Sequence, residues 1–251
     1  KGASMKIAPI LLSVYARTFK SITDEMSISM EQTTRSPILC EAKDYVTGLY
    51  DGDGNMLEQT ENLPILAFSL APVCKYIQAD IGGNVRGGYN PNAVEVWQEA
   101  LRIPPVKVVE KGKLRKDVWN LIFANIRLDI VQHDMKAEMG ACTVGERRLL
   151  ELLDKYGLES YEAHKQALFE ATRKMMEAEI AKIPNGNYSG EGYIYYDGRH
   201  EGSKFTIRVD IEVKDRHIKF DYSRTDAQTN GFVNGTFTSS ASATILTLLQ
   251  M

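Results

Sequence analysis

The sequence predicts an α+β protein, in which long helices and an antiparallel sheet occupy separate runs of the chain. Three observations predict it. Apolar residues recur at helical spacing from about 8 to 30, and again from 117 to 183. The period then changes to two, with Ile207, Val209, Ile211 and Val213 alternating with charged residues. Finally, 43% hydrophobic and 25% charged residues in 251 support a sizeable core and argue against disorder.

The elements follow in order. Ile10, Leu11, Val14, Tyr15, Ala16, Phe19, Ile22 and Met26 predict a helix over 8–30, with Pro9 in its first turn and Ser36-Pro37 as a break. A β-prone stretch, 45–50, meets Asp51-Gly-Asp-Gly-Asn55 and then Met56-Leu57, which predicts a hairpin. The same five residues imitate the start of a calcium loop, but the twelfth position is Asn62 rather than glutamate, so the turn reading is preferred. Residues 63–72 are apolar, bracketed by prolines, and read as buried. Residues 78–92 are loop-like, and 93–101 read as a short helix before Pro104-Pro105. The basic stretch 107–116 reads as a solvated connection.

Three further helices are expected: 117–139, then one capped by Thr143 with Glu146 in capping-box spacing and ending near Tyr156-Gly157, then 160–183, stopped by Pro184-Asn-Gly186. Strands are expected at 192–196, 205–213 and 217–222, with a hairpin turn at 214–216. Residues 230–235 are turn-rich, and 239–249 return to helix formers.

The net charge of −3 gives no electrostatic footprint for nucleic acid, and no apolar run approaches the ~20 residues of a membrane span. Cys40, Cys74 and Cys142 show no CxxC spacing and read as reduced thiols of a cytoplasmic protein. The four residues before Met5 resemble a cloning remnant. The glycines of 82–88 match neither GxGxxG nor a P-loop, so any ATP is expected on another subunit. His133, His164, His200 and His217 form no HxxxH or HExxH pair, and each reads as a surface residue. Carboxylates are more suggestive. Asp44 precedes a strand and Asp80 stands before Gly82-Gly83, where backbone can approach a hard cation or substrate; turn and cap roles are the competing reading.

Several segments in order carry a family resemblance: 30–70, ADIGG (79–83), EVWQEALRIPPVKV (95–108), 124–157 with GERRLLELLDKYG, IPNGNYSGEGYIYYDG (183–198) and FDYSRTDAQTNGFVNGT (220–236). Together they resemble the hydantoinase B family, shared by oxoprolinases, hydantoinases and ketone carboxylases. The resemblance implies a hydantoinase B-like α+β fold and ATP-dependent chemistry on carbonyl compounds. It also implies ATP used on a hydantoinase A-like partner subunit, and a divalent metal (Mn, Zn or Mg). The family's Asn-Asp-Pro, His-x-x-Asp and His-His motifs have no counterpart here, because Ile77 runs directly into Gln78. Only Asp80, and more loosely Asp44, align with that metal neighbourhood, and no catalytic residue can be assigned. The chain is therefore expected to be incomplete. A hydantoinase B-like region, 5–108, lacks a segment between 77 and 78; a helical and sheet region, 109–251, is truncated at its C-terminal end. The leading expectation is a ketone carboxylase subunit, resembling the α-type subunit of acetophenone or acetone carboxylase, with further carboxylase subunits as partners. The alternatives are a cyclic-amide hydrolase subunit and a non-catalytic scaffold of such a complex. The small-molecule substrate would accordingly be a ketone or a cyclic amide.

Overall fold

The computed structural model describes residues 7–60, 62, 80–82, 90–98 and 101–250. Its fold is α+β, with six α-helices and small antiparallel sheets among those residues. The expectation of burial at 63–72 and most of the glycine loop lie outside the described residues. The chain divides into two compact units: Lys1–Arg17 with Leu153–Asn234, and Thr18–Leu152 with Gly235–Met251. No helix among the described residues is long and apolar enough to cross a membrane.

Helix α1 (Pro9–Thr33) starts on the proline whose missing N–H costs nothing there. Tyr15, Phe19, Ile22, Met26 and Met30 recur every three or four residues and are its buried stripe. In the second unit α1 meets α4 (Ile130–Tyr156), where Gly145 admits Met26: a Cβ at Gly145 would stand 2.5 Å from the Met26 sulfur. Between them come α2 (Pro37–Cys40), capped by Ser36, and a hairpin of β1 (Gly48–Tyr50) and β2 (Met56–Gln59). The Asp51 carboxylate accepts from the amides of Asp53 and Asn55 and from the Asn55 side chain, so it closes the turn from within.

A second hairpin, β3 (Val109–Glu110) and β4 (Lys113–Leu114), occupies the stretch expected to be a plain connection. Lys111 and Gly112 both have positive φ, the backbone a two-residue turn demands. The expected helix at 93–101 is a single 3-10 turn, Val96–Gln98, within the described residues.

The helix boundaries differ from expectation. Helix α3 (Lys116–Phe123) stops early, and α4 begins at Ile130, so the break falls at 124–129. No break occurs near 140. Thr143 lies inside α4 and returns its hydroxyl to the Met139 carbonyl instead of capping. The true break is set by tertiary bonding of Arg127, described below.

In the first unit, α5 (Leu158–Ile180) follows Gly157, whose φ of 80° favours glycine. Three strands form one antiparallel sheet in the order β5 (Gly186–Ile194), β6 (Phe205–Lys214), β7 (His217–Asp221). Strand β5 begins six residues before its expected start and ends before Tyr195. Its glycines mask a strand that the β6 register imposes from Gly186↔Val213 to Ile194↔Phe205. The expected hairpin turn is present, with Asp215 at φ 56°. Helix α6 (Phe237–Leu249), capped by Thr236, returns the chain to the second unit.

Candidate functional site

Asp44 leaves α2 half-buried and directly precedes Tyr45, the side chain that pins this segment. Tyr45 is 2% exposed. Its hydroxyl lies 2.6 Å from the Ser27 hydroxyl and donates to Glu31 at 2.7 Å. Lys43 pairs with the same Glu31 carboxylate at 3.0 Å. Burial pushes the Tyr45 hydroxyl up to about 12, the Ser27 bond opposing and the Glu31 charge adding to it. Upstream, the Asp134 carboxylate of α4 accepts from the Thr34 hydroxyl and the amides of Arg35 and Ser36, so the turn into α2 is fixed at its start.

Tyr45→Phe is expected to cost about 1–2 kcal/mol, since it strips a buried network of one member. An unfolded tyrosine ionises near 10, so Tyr45 contributes stability fully below about pH 10, lost as pH rises through about 12. Tyr50 and Tyr193 are raised as well, so ultraviolet titration should show several late phenols in the parent, and Tyr45→Phe should remove one of them.

Asp80 is 1% exposed. Its Oδ2 accepts from Arg127 Nε at 3.0 Å and Nη2 at 2.8 Å, and its Oδ1 from the Gly82 amide at 3.0 Å. The Arg127 amide also donates to the Asp80 carbonyl at 2.7 Å. Side chain and backbone of Arg127 are thus both held by one residue, and that interrupts the α3–α4 helical run. Gly82 takes φ 84° to deliver its amide.

Among the described residues, no three His, Cys, Asp or Glu side chains gather as a cation needs. Both Asp80 carboxylate oxygens are engaged, Oδ2 by the Arg127 guanidinium at 2.8 Å and Oδ1 by the Gly82 amide at 3.0 Å. The described arrangement at Asp80 therefore does not fit a metal ion.

A separate cluster in the first unit escaped the sequence reading. Asp197 follows β5 and is fully buried. Its carboxylate accepts from the amides of Arg199 (3.0 Å) and His200 (2.8 Å), from His200 Nδ1 at 2.7 Å, and from the Thr229 hydroxyl. Burial raises the Asp197 carboxyl, but the Thr229 hydroxyl, the His200 amide and imidazole and the Arg199 amide outweigh it, holding the group well below the usual carboxylate range. Asn234 closes the neighbouring loop through the Thr229 amide and carbonyl and the Gly231 carbonyl. His200 remains half exposed beside this anchor. The Asp-x-x-His spacing was the available signal, since an aspartate turning onto its own following amides presents its carboxylate to a side chain three residues on.

Because the folded carboxyl sits below the unfolded value of about 3.9, its stabilising contribution is complete above about pH 4 and is lost as pH falls through the folded value. Amide resonances of Arg199, His200 and Gly231 should stay native at pH 5 and shift together only in stronger acid.

His164, expected at the surface, is buried at 1% exposure. Its Nδ1 lies 2.7 Å from the Ser160 carbonyl, and its ring stacks on Tyr15 at 4.9 Å. It serves the core of the first unit. Cys40 and Cys142 are free thiols.

An α+β chain with two carboxylate-anchored loops defines a class only when joined to its relatives. The family model described as Hydantoinase B/oxoprolinase matches residues 8–78 and 72–251. The chain belongs to that family. It is 32% identical to "Caprolactamase subunit beta" of Pseudomonas jessenii over 264 residues, covering 84% of this chain and 45% of that one. The crystal structure of ATP-dependent caprolactamase from the same organism superposes with a TM-score of 0.84 at 28% identity, covering 98% of this chain and 51% of that one. The nucleotide-free structure of acetone carboxylase gives a TM-score of 0.75 at 15% identity, covering 96% and 40%, a likeness of fold alone. The chain spans about half the length of the two caprolactamase chains it matches. The alignment to the caprolactamase subunit is longer than this whole chain yet leaves part of it unmatched, so the relative carries residues with no counterpart here.

Proposed function

We propose that this chain is part of the hydantoinase B-like subunit of an ATP-dependent cyclic-amide hydrolase, acting on a lactam-type ring with ATP used on a hydantoinase A-like partner. The observation that carries this reading is the 32% identity to a caprolactamase subunit over most of the chain, together with the close superposition on a caprolactamase structure. The chemistry calls for two components. A lactam amide is a poor electrophile because nitrogen donates into the carbonyl. Phosphoryl transfer to the amide oxygen makes the carbon open to water, and ring opening then releases phosphate and an amino acid.

A ketone carboxylase subunit is the second reading. It is favoured by the wording of 63–72 and 95–108, and by the acetone carboxylase likeness at the level of fold. The two readings separate in one experiment. The purified complex is given ATP with a lactam, and in parallel ATP with a ketone and labelled bicarbonate. Ring opening without label fixation is expected; fixation into any ketone would overturn the hydrolase reading.

We further propose that a segment between Ile77 and Gln78 is missing relative to the family. The two family matches meet at 72–78, where the expected histidine motifs would fall. A divalent metal of the whole subunit would draw on that segment, with Asp44 as the carboxylate this chain would contribute. Intact mass of the native subunit tests the point: a value near 28.1 kDa would contradict a missing segment. In the native subunit, Asp80→Asn is expected to leave bound metal unchanged.

A further inference from the structure

Three residues other than glycine take a left-handed backbone among the described residues: Lys43, Lys111 and Asp215, with φ of 50°, 50° and 56°. Lys111 and Asp215 sit in the two-residue turns of the β3–β4 and β6–β7 hairpins, which demand it. Lys43 lies in no hairpin; it follows α2 and directly precedes Asp44. Strain of this kind persists only where the surroundings over-determine it. A glycine would end α2 without strain. What glycine lacks is an ammonium that can reach a partner.

The partner is a single oxygen. Glu31 Oε1, on α1, pairs with Lys43 Nζ at 3.0 Å and accepts from the Tyr45 hydroxyl at 2.7 Å. The two side chains that flank Asp44 are therefore clipped to one atom. The backbone between them is closed as well. The Tyr45 amide donates to the Lys43 carbonyl at 2.8 Å, which puts Asp44 at the apex of a three-residue turn. The Asp44 amide donates to the Ile38 carbonyl at 3.0 Å. A connecting loop needs no such double hold. A carboxylate that meets a ligand at fixed distance gains from it, because freedom removed in advance is not lost again on binding. Asp44 is half-buried and offers the hard oxygen donors that divalent cations take.

We propose that Glu31 and Lys43 are positioning residues: their ion pair holds the Lys43–Tyr45 turn, so that Asp44 is preset as an oxygen ligand for a divalent cation. The proposal rests on the metal reading given above for Asp44 and is independent of whether the ring or the ketone is the substrate.

The test is metal binding by the native subunit, stripped of metal and titrated calorimetrically with zinc and, in parallel, with manganese. Lys43→Gly carries the decision, because three roles move it in different directions. If Lys43 acted only through its charge, removing a nearby cation would tighten divalent binding. If it only capped α2, glycine would relieve the φ of 50° and leave affinity at the parent level. Positioning predicts binding weaker by about tenfold, the usual effect of losing a group that braces a ligand. The thermal unfolding midpoint should stay near that of the parent. Lys43→Arg retains the ion pair and should bind like the parent, whereas Glu31→Gln should weaken binding as Lys43→Gly does. Asp44→Asn tests the underlying metal reading. Unchanged affinity in that variant, or a parent that binds neither metal, would overturn both the reading and the proposal. Weakened binding in Asp44→Asn with parent-like or tighter binding in Lys43→Gly would overturn the positioning role by itself. So would weaker binding in Lys43→Gly that only follows a lowered unfolding midpoint.

Discussion

Arg127→Ala is expected to destabilise the second unit by about 3–5 kcal/mol, because it strips two guanidinium bonds from a buried carboxylate. Asp80 is 1% exposed and receives two guanidinium bonds on one oxygen, so water cannot readily replace them. Loss of the side chain also frees the 124–129 segment that separates α3 from α4. Arg127→Lys keeps the charge but not the two-pronged geometry, and should fall between parent and alanine. Adding Asp80→Asn to Arg127→Ala should recover part of the loss, since the buried charge that lost its guanidinium is removed. Urea unfolding followed through Trp119, buried in α3, reads all four proteins. Equal stability of parent and Arg127→Ala would show that the pair anchors nothing.

The second large effect is expected at Gly231. A Cβ there would stand 2.2 Å from the Asp197 carbonyl oxygen and 2.5 Å from its carboxyl carbon. The obstacle is backbone and a fully bonded carboxylate, neither of which can swing aside. Gly231→Ala should therefore cost about 3 kcal/mol or more, at the upper end of overpacking penalties. Gly198→Ala makes a useful contrast. Its Cβ would collide with the Phe232 ring, but that ring is half exposed and can rotate away. What remains is the strain of a φ of 90°, about 1–2 kcal/mol. Hydrogen exchange along β5 and β6 should report both, with Gly231→Ala opening the 195–204 and 226–232 loops further. The reverse order would mean that the Asp197 anchor is not the rigid element described.

The contrast between these two sites shows what the residues alone could disclose. Helices α1 and α5 were legible because their apolar stripes are long and their ends carry Pro9, Gly157 and Pro184. The α3–α4 break was not, because it depends on Arg127 meeting Asp80 from 47 positions away, a bond that leaves no trace in periodicity. Thr143, with Glu146 three residues on, suggested a boundary that does not exist; the threonine bonds back along the helix. Strand β5 was read late for a related reason. Three of its residues are glycine, which weakens any strand signal, and only pairing with β6 reveals its extent. At the candidate site, Asp44 and Asp80 were singled out by their places before a strand and before Gly82-Gly83 and then aligned by family resemblance, whereas the Asp197–His200 contact was present in the spacing and passed over. His164 was misplaced at the surface because its amphipathic helix gave no hint of Tyr15 stacked on its ring.

The central claim, that this chain serves ATP-driven ring opening, is tested most directly by counting both products in one reaction. The complex containing the subunit is incubated with ATP and a lactam, and ADP and ring-opened amino acid are measured together, with and without that subunit. The account predicts one ADP for each ring opened and loss of ring opening when the subunit is left out. Ring opening that proceeds undiminished without it, or an untouched lactam while ADP accompanies carboxylation of a ketone, would contradict it.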